Sequence, residues 1–235
     1  MSSLKDEYDA LSKRDRIPKE IQEYITANLN QNFELREYQK EAVVRLNFNY
    51  TDSQRVKPTQ LLFEMATGSG KTLIMAANIL FLYQQGYRNF VFFVNNTNIV
   101  EKTKANFLDA LSSKYLFNKN RIEIDGKEVK VKEVENFEVI DPDAINIFFT
   151  TIQGLHSLMN YVRENSITYE DLKNKKIVII SDEAHHINAW TRNGATQNKN
   201  DLNQGEQEAK RTWEETVVVS CFMFLSLILF HSLTI

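Results

Sequence analysis

Residues 59–80, TQLLFEMATGSGKTLIMAANIL, constrain the fold of this chain more than any other stretch. The segment opens with an apolar run at residues 61–63 that suits a buried strand, and it closes with an apolar helix over residues 73–80. A short glycine-rich turn, TGSGKT at residues 67–72, joins the two. A strand, a glycine turn and a helix in this order are the context in which such a turn binds phosphate.

The residue types in this turn, called the phosphate loop below (residues 67–72), explain why a phosphate would bind there. Gly68 and Gly70 permit backbone conformations in which consecutive N–H groups point at one anion, and the next helix adds its positive end. Lys71 supplies a charge for the β- and γ-phosphates of a nucleotide, and Thr72 offers a hydroxyl to Mg²⁺. The predicted nucleotide-binding residues of the loop are Thr67, Gly68, Ser69, Gly70, Lys71 and Thr72.

One residue departs from the strict pattern for such loops, which begins with a glycine where this chain has Met65. The alternative interpretation is a glycine-rich turn with an incidental lysine. The flanking strand and helix disfavour that alternative.

Further apolar strands alternate with helices along the chain. Apolar runs at residues 90–94, 145–149 and 175–181 each suit a buried strand. Residues 33–48 predict a helix with one apolar face formed by Leu35, Tyr38, Ala42 and Leu46, and residues 95–98 open another helix. This alternation predicts an α/β fold in which helices cover both faces of a parallel sheet, with ligands at the carboxyl ends of the strands.

Residues 121–138 follow a different pattern. Apolar and polar residues alternate there around Asp125-Gly126, which predicts a β-hairpin.

A second candidate site follows the strand at residues 175–181. Asp182 and Glu183 stand at its carboxyl end, where an acidic residue can hold Mg²⁺ and its neighbour can orient or deprotonate a water. A solvated turn is the alternative, and the phosphate loop upstream disfavours it. His185 and His186 do not suggest zinc, because adjacent residues on a helix point in different directions.

Together these segments resemble the first motor domain of the DEAH-box helicases, and more narrowly the Res subunit of type III restriction enzymes. The resemblance covers residues 33–217. It rests on LREYQKEA at 35–42, MATGSGKT at 65–72, FVNNTNIVEKT at 93–103, TTIQGL at 150–155, SDEAHH at 181–186 and TWEETV at 212–217.

The resemblance implies a RecA-like ATP-binding domain that uses ATP and Mg²⁺. It implies that Lys71 and Thr72 grip phosphate and Mg²⁺, that Asp182 holds Mg²⁺ and that Glu183 serves the attacking water. His185 would sense the nucleotide, and Gln39 would bind the adenine edge, with Arg36 assisting.

The same resemblance implies double-stranded DNA as a partner, together with a Mod-like methyltransferase subunit. The residues expected to contact DNA are Asn96, Thr97 and Thr151. The net charge of -3 over 235 residues gives no global basic signature, so contacts with DNA should be local. A single cysteine, Cys221, and a charged N-terminus without a signal-peptide core favour a cytoplasmic location.

The domain organisation expected from the sequence has three parts: an N-terminal helical extension (1–32), the RecA-like domain (33–219) and an apolar tail (220–235). The resemblance implies a further strand after TWEETV, then a second motor domain and a nuclease domain, and none of these is recognisable in the remaining sequence.

Three interpretations of the tail stand side by side: a premature stop or frame change in a longer gene, a membrane anchor, or a native strand plus an apolar helix. Truncation is preferred. A span of 217–235 reaches the length of a membrane segment but lacks flanking basic residues on its C-terminal side, so a membrane location is disfavoured. The residues from Cys221 to Phe230 are expected to form an apolar helix that is exposed or loosely packed.

Three functions follow from these interpretations. The preferred one is an ATP-dependent DNA motor domain of a restriction enzyme, which alone would bind ATP and turn it over slowly. The others are a nucleotide-binding remnant or regulator without motor activity, and a membrane-tethered ATPase.

Overall fold

The phosphate loop joins the first strand of a parallel sheet to a buried helix. The structure, a computed structural model, describes residues 4–13, 17–18, 20–51, 60–66, 68–94, 96–151, 153–155, 176–182 and 225–232. Its helices are α1 (Leu4–Ser12), α2 (Glu23–Asn28), α3 (Glu37–Thr51), α4 (Lys71–Gln84) and α5 (Thr97–Leu108). Its strands are β1 (Gln60–Ala66), β2 (Asn89–Val94), β3 (Ile122–Ile124), β4 (Lys127–Val129), β5 (Val131–Glu133), β6 (Ile145–Thr151), β7 (Ile177–Asp182) and β8 (Leu225–Ser232).

Six of these strands form one sheet in the order β1-β8-β7-β2-β6-β5, and every neighbouring pair is parallel. Parallel neighbours need crossover connections, and helices α4 and α5 lie in two of those connections. The predicted α/β class with a parallel sheet is therefore confirmed.

Both faces of the sheet are buried, as the alternation of side chains along β2 shows. Phe90, Phe92 and Val94 point into one apolar cluster, which they share with α2, α3, α4 and α5. Val91 and Phe93 point into a second cluster on the opposite face. Successive strand residues face opposite sides, so a continuous apolar strand needs cover on both.

Helix α4 is buried around most of its circumference, and this explains its almost wholly apolar sequence. It packs against α2 and α3, and its residues from Leu73 to Tyr83 are all buried. A helix that is apolar on every side is stable only when other elements surround it. The phosphate loop is thereby anchored at its C-terminal end by the core of the domain.

The N-terminal segment contributes to the same core. Ile25 and Leu29 are buried in the cluster that contains α4. The buried Asn28 donates from Nδ2 to the Glu123 carbonyl (2.6 Å) and accepts at Oδ1 from the Glu123 N–H (2.7 Å), so α2 is bonded to strand β3. The division of the chain at residues 32 and 219 stays a prediction.

The predicted hairpin is confirmed: β3 and β4 are antiparallel and are joined by Asp125 and Gly126. Both turn residues have positive φ, 52° and 75°, as a two-residue turn of this kind requires. The alternating pattern did not separate strand β5 from the hairpin, however. Strand β5 follows the hairpin and pairs in parallel with β6, as the edge strand of the main sheet.

Helix α3 also differs in detail from its predicted face. The helix begins at Glu37 and not at residue 33, so Leu35 precedes it. Leu35, Ala42 and Leu46 are buried as expected, but Tyr38 is 40% exposed. Its hydroxyl bonds to the phosphate loop instead, as described below.

The tail is where the sequence prediction was wrong. Instead of an apolar helix within residues 221–230, the structure has strand β8, which is inserted between β1 and β7. A strand after TWEETV is therefore present, at residues 225–232. Within the part of the chain that the structure describes, no helix combines the length and apolar character needed to cross a bilayer.

Candidate nucleotide-binding site

The backbone of the phosphate loop has the conformation that its glycines permit. Strand β1 ends at Ala66 and helix α4 begins at Lys71, so the loop turns within a few residues. Gly68 has φ of 72° and Gly70 has φ of 81°, values in the left-handed region that side chains with a Cβ rarely adopt. Thr67 lies outside the described residues.

The Lys71 ammonium is held within the loop. Its Nζ donates to the Ala66 carbonyl at 3.2 Å, and the side chain is buried. The same carbonyl accepts from the Ser69 N–H at 3.3 Å. Two donors of the loop therefore share one backbone carbonyl oxygen.

Helix α3 supports the loop from the outside. Gln39 is buried; its Oε1 accepts from the Arg36 N–H at 2.8 Å, and its Nε2 donates to the Ser69 carbonyl at 2.8 Å. The Tyr38 hydroxyl donates to the same carbonyl at 2.8 Å. A Cβ added to Gly70 would lie 2.4 Å from Gln39 Nε2, so any other residue at this position would displace this amide.

These contacts place Gln39 beside the loop, and its expected bond to adenine stays a prediction. The role of Tyr38 was missed, because the helical spacing assigned its side chain to the core. Its position next to Gln39 was the available signal.

The residues around the loop fit a phosphate group. The Ser69 hydroxyl oxygen is buried and has no hydrogen-bond partner among the described residues. Thr72 lies in the first turn of α4, where the helix N-terminus favours negative charge. A buried hydroxyl without a partner, a buried ammonium and a helix N-terminus are together suited to a polyphosphate and its cation.

The acidic candidate Asp182 is the last residue of strand β7. It therefore lies on the side of the sheet formed by the carboxyl ends of the strands, as the phosphate loop does. Asp182 pairs with Leu229 of β8, and Leu229 pairs with Phe63 of β1, so one strand separates the two sites. The lateral distance across two strand spacings is about 10 Å. Glu183, His185 and the side chain of Asp182 lie outside what the structure describes.

The residues expected to contact DNA also lie at the carboxyl ends of the sheet strands. Thr151 pairs with Val94 at the ends of β6 and β2, and the exposed Asn96 and Thr97 begin helix α5. The Asn96 side chain accepts from the Asn98 N–H at 2.8 Å and so caps that helix. The Thr151 hydroxyl accepts from the Gly154 N–H at 3.0 Å.

The fold and the loop together define the class of this protein, a parallel α/β domain with a glycine-rich loop between its first sheet strand and a buried helix. Residues 32–215 match the family described as "Type III restriction enzyme, res subunit". The chain therefore belongs to that family.

A curated relative supports the same assignment. The chain is 40% identical over 168 residues to the probable type III restriction-modification enzyme HindVIP Res subunit of Haemophilus influenzae. The matched segment is 69% of this chain and 32% of that protein. The chain thus corresponds to about a third of the length of this relative.

Proposed function

We propose that this domain binds ATP with Mg²⁺ at the phosphate loop and hydrolyses it, as the first motor domain of a type III restriction enzyme. The observation that carries the proposal is the loop itself, in which a buried lysine and two left-handed glycines stand at the start of a buried helix. Membership of the res-subunit family supports helicase-type use of that loop.

Each residue at the loop has a proposed task. Gly68 and Gly70 present backbone N–H groups to the phosphates, Ser69 adds its buried hydroxyl, and Thr67 completes the turn. The Lys71 ammonium, now on the Ala66 carbonyl, moves to the β- and γ-phosphates. Gln39 recognises the adenine edge from its place beside the loop.

The neighbouring strand end completes the proposed chemistry. Thr72 and Asp182 hold Mg²⁺, whose role is to neutralise charge on the phosphate oxygens. Glu183 orients or deprotonates the attacking water, and His185 senses the nucleotide. The parallel directions of β1 and β7, on either side of β8, support this assignment, because ligands bind at the carboxyl ends of parallel strands.

We further propose that the complete protein acts on double-stranded DNA with a Mod-like methyltransferase subunit. Asn96, Thr97 and Thr151 would contact DNA phosphates beside the nucleotide site. Phosphate contacts position a protein without specifying sequence, so this domain should bind DNA without sequence preference.

The decisive experiment measures binding of MgATP to the full chain and to Lys71→Ala. Loss of the ammonium should abolish binding, while a cooperative urea transition shows that the fold persists. Lys127→Ala is the matched control, because it removes one exposed lysine of the hairpin. Equal MgATP affinity in the parent and Lys71→Ala would refute the proposal.

A second variant tests the proposed base. Glu183→Gln should keep MgATP affinity and lower the hydrolysis rate, because the charge that handles water is removed while Asp182 remains. If parent and variant hydrolyse ATP at the same rate, another residue activates the water.

DNA binding is tested by salt dependence. Affinity for random duplexes should fall steeply with added salt, and Thr97→Glu should weaken it, since like charge would face the phosphates. Ser113→Glu places the same charge beyond the other end of α5 and serves as control. Sequence-selective binding that salt leaves unchanged would contradict this assignment.

A further inference from the structure

We infer that Tyr38 is a positioning residue of the phosphate loop: its hydroxyl holds the Ser69 carbonyl and thereby aims the Gly70 N–H. The inference rests on the proposed nucleotide site for its consequence in binding. Its structural content concerns one peptide group and can be tested without any nucleotide.

The Ser69 carbonyl is held by two donors from α3. The Tyr38 hydroxyl and Gln39 Nε2 each lie 2.8 Å from this oxygen. Arg36 Nη1 donates to the Tyr38 hydroxyl oxygen at 3.3 Å, which leaves the hydroxyl hydrogen directed at Ser69. Tyr38 thus connects the guanidinium group of Arg36 to the phosphate loop.

The hydroxyl contact is not a by-product of burial. The Tyr38 side chain is 40% exposed, so water could satisfy its hydroxyl. The side chain instead reaches across 31 positions of sequence to a single loop carbonyl. A tyrosine present only for packing would place its ring in the core, as the buried Tyr115 does.

Holding this carbonyl also orients the N–H group that would donate a hydrogen bond to a phosphate. A trans peptide group is planar, and its C=O and N–H bonds point in opposite directions. The Ser69 carbonyl and the Gly70 N–H belong to the same peptide group, so holding the oxygen toward α3 turns the N–H away from α3. Gly70 has φ of 81° and lies against Gln39 Nε2, which limits rotation of the group.

The first test observes the Gly70 N–H directly. Gly70 is the only one of the seven glycines that follows a serine. Cell-free protein carrying [1-¹³C]serine and [¹⁵N]glycine therefore identifies its amide signal without ambiguity. Tyr38→Phe should shift the Gly70 signal more than that of any other described glycine.

The matched control is Tyr8→Phe, which removes a hydroxyl bonded to the Arg45 carbonyl at 2.7 Å, away from the loop. It should leave the Gly70 signal in place. An unchanged Gly70 signal in Tyr38→Phe, or an equal shift in both variants, would overturn the inference.

The second test measures binding of MgATP and of Mg-tripolyphosphate. Tyr38→Phe should weaken both by about three- to tenfold, as expected for one lost hydrogen bond to the loop. A cooperative urea transition should show that the variant stays folded. A ring that stacked on the base would give the opposite result, with Tyr38→Phe normal and Tyr38→Leu impaired for MgATP alone.

The two tests separate the inference from the proposed function. If the parent binds neither ligand, the proposed nucleotide site fails, and the Gly70 signal still decides whether Tyr38 holds the loop. If the parent binds both and Tyr38→Phe binds them equally well, the positioning role fails while the site stands.

Discussion

Substituting Gly70 by alanine should destabilise the domain more than an ordinary substitution in a loop. The residue has φ of 81°, where an added Cβ costs about 1–2 kcal/mol. The new Cβ would also lie 2.4 Å from Gln39 Nε2, which is closer than non-bonded atoms approach. The Gln39 amide must therefore move.

Moving that amide breaks two hydrogen bonds, one from the Arg36 N–H and one to the Ser69 carbonyl. Each contributes about 1 kcal/mol, and more if the buried amide finds no other partner. Strain and lost bonds together predict a loss of roughly 3–4 kcal/mol in the free energy of unfolding. That is a large share of the about 5–15 kcal/mol typical of a domain.

Gly86→Ala is the control because it carries the strain without the clash. Gly86 has φ of 90° and no atom within 4 Å of the position of the added Cβ. It should lose only about 1–2 kcal/mol. Urea unfolding with unchanged slope gives both values.

A double variant isolates the contact itself. Gln39→Ala removes the amide that the new methyl group meets, so in that background Gly70→Ala should cost only the strain, which is about 2 kcal/mol less than in the parent. The reasoning is refuted if Gly70→Ala is no more destabilising than Gly86→Ala, or if the two substitutions at Gly70 and Gln39 are additive.

Three further predictions follow from the fold. Deleting residues 220–235 should unfold the domain, because β8 pairs with both β1 and β7; a soluble deletion variant with a parent-like urea transition would contradict this position for the strand. Asn28→Ala should lower the free energy of unfolding by about 2–3 kcal/mol, because its hydrogen bonds to Glu123 are lost. The exposed control Asn120→Ala should leave that free energy unchanged, and equal stability of the two variants in urea would disprove the coupling of α2 to β3. The hydrogen bond from Lys132 lowers the pKa of Asp141 below its ordinary 3.8. The ionised carboxylate therefore stabilises the fold at pH values above 3.8, and this stabilisation is lost as the pH falls through the pKa of the folded state. The difference in Tm between the parent and Asp141→Asn should vanish in acid, and a difference independent of pH would exclude the pair as its source.

The sequence by itself determined the features that depend on neighbouring residues. The strand, glycine loop and helix around Lys71 could be predicted because the loop conformation is set by its own glycines. The hairpin at Asp125-Gly126 could be predicted for the same reason, since both residues accept positive φ. Family membership also followed from short motifs in a fixed order, and the match over residues 32–215 confirmed it.

Features that depend on contacts between residues far apart in the sequence were decided only by the tertiary structure. An apolar stretch such as that at 225–232 suits a helix or a strand equally well, and the gap between β1 and β7 selects the strand. The exposed Tyr38 had the spacing of a core residue, yet its hydroxyl lies on the Ser69 carbonyl 31 positions away. Helical spacing fixes which residues share a face, but the burial of that face and its hydrogen bonds depend on the elements that pack beside it.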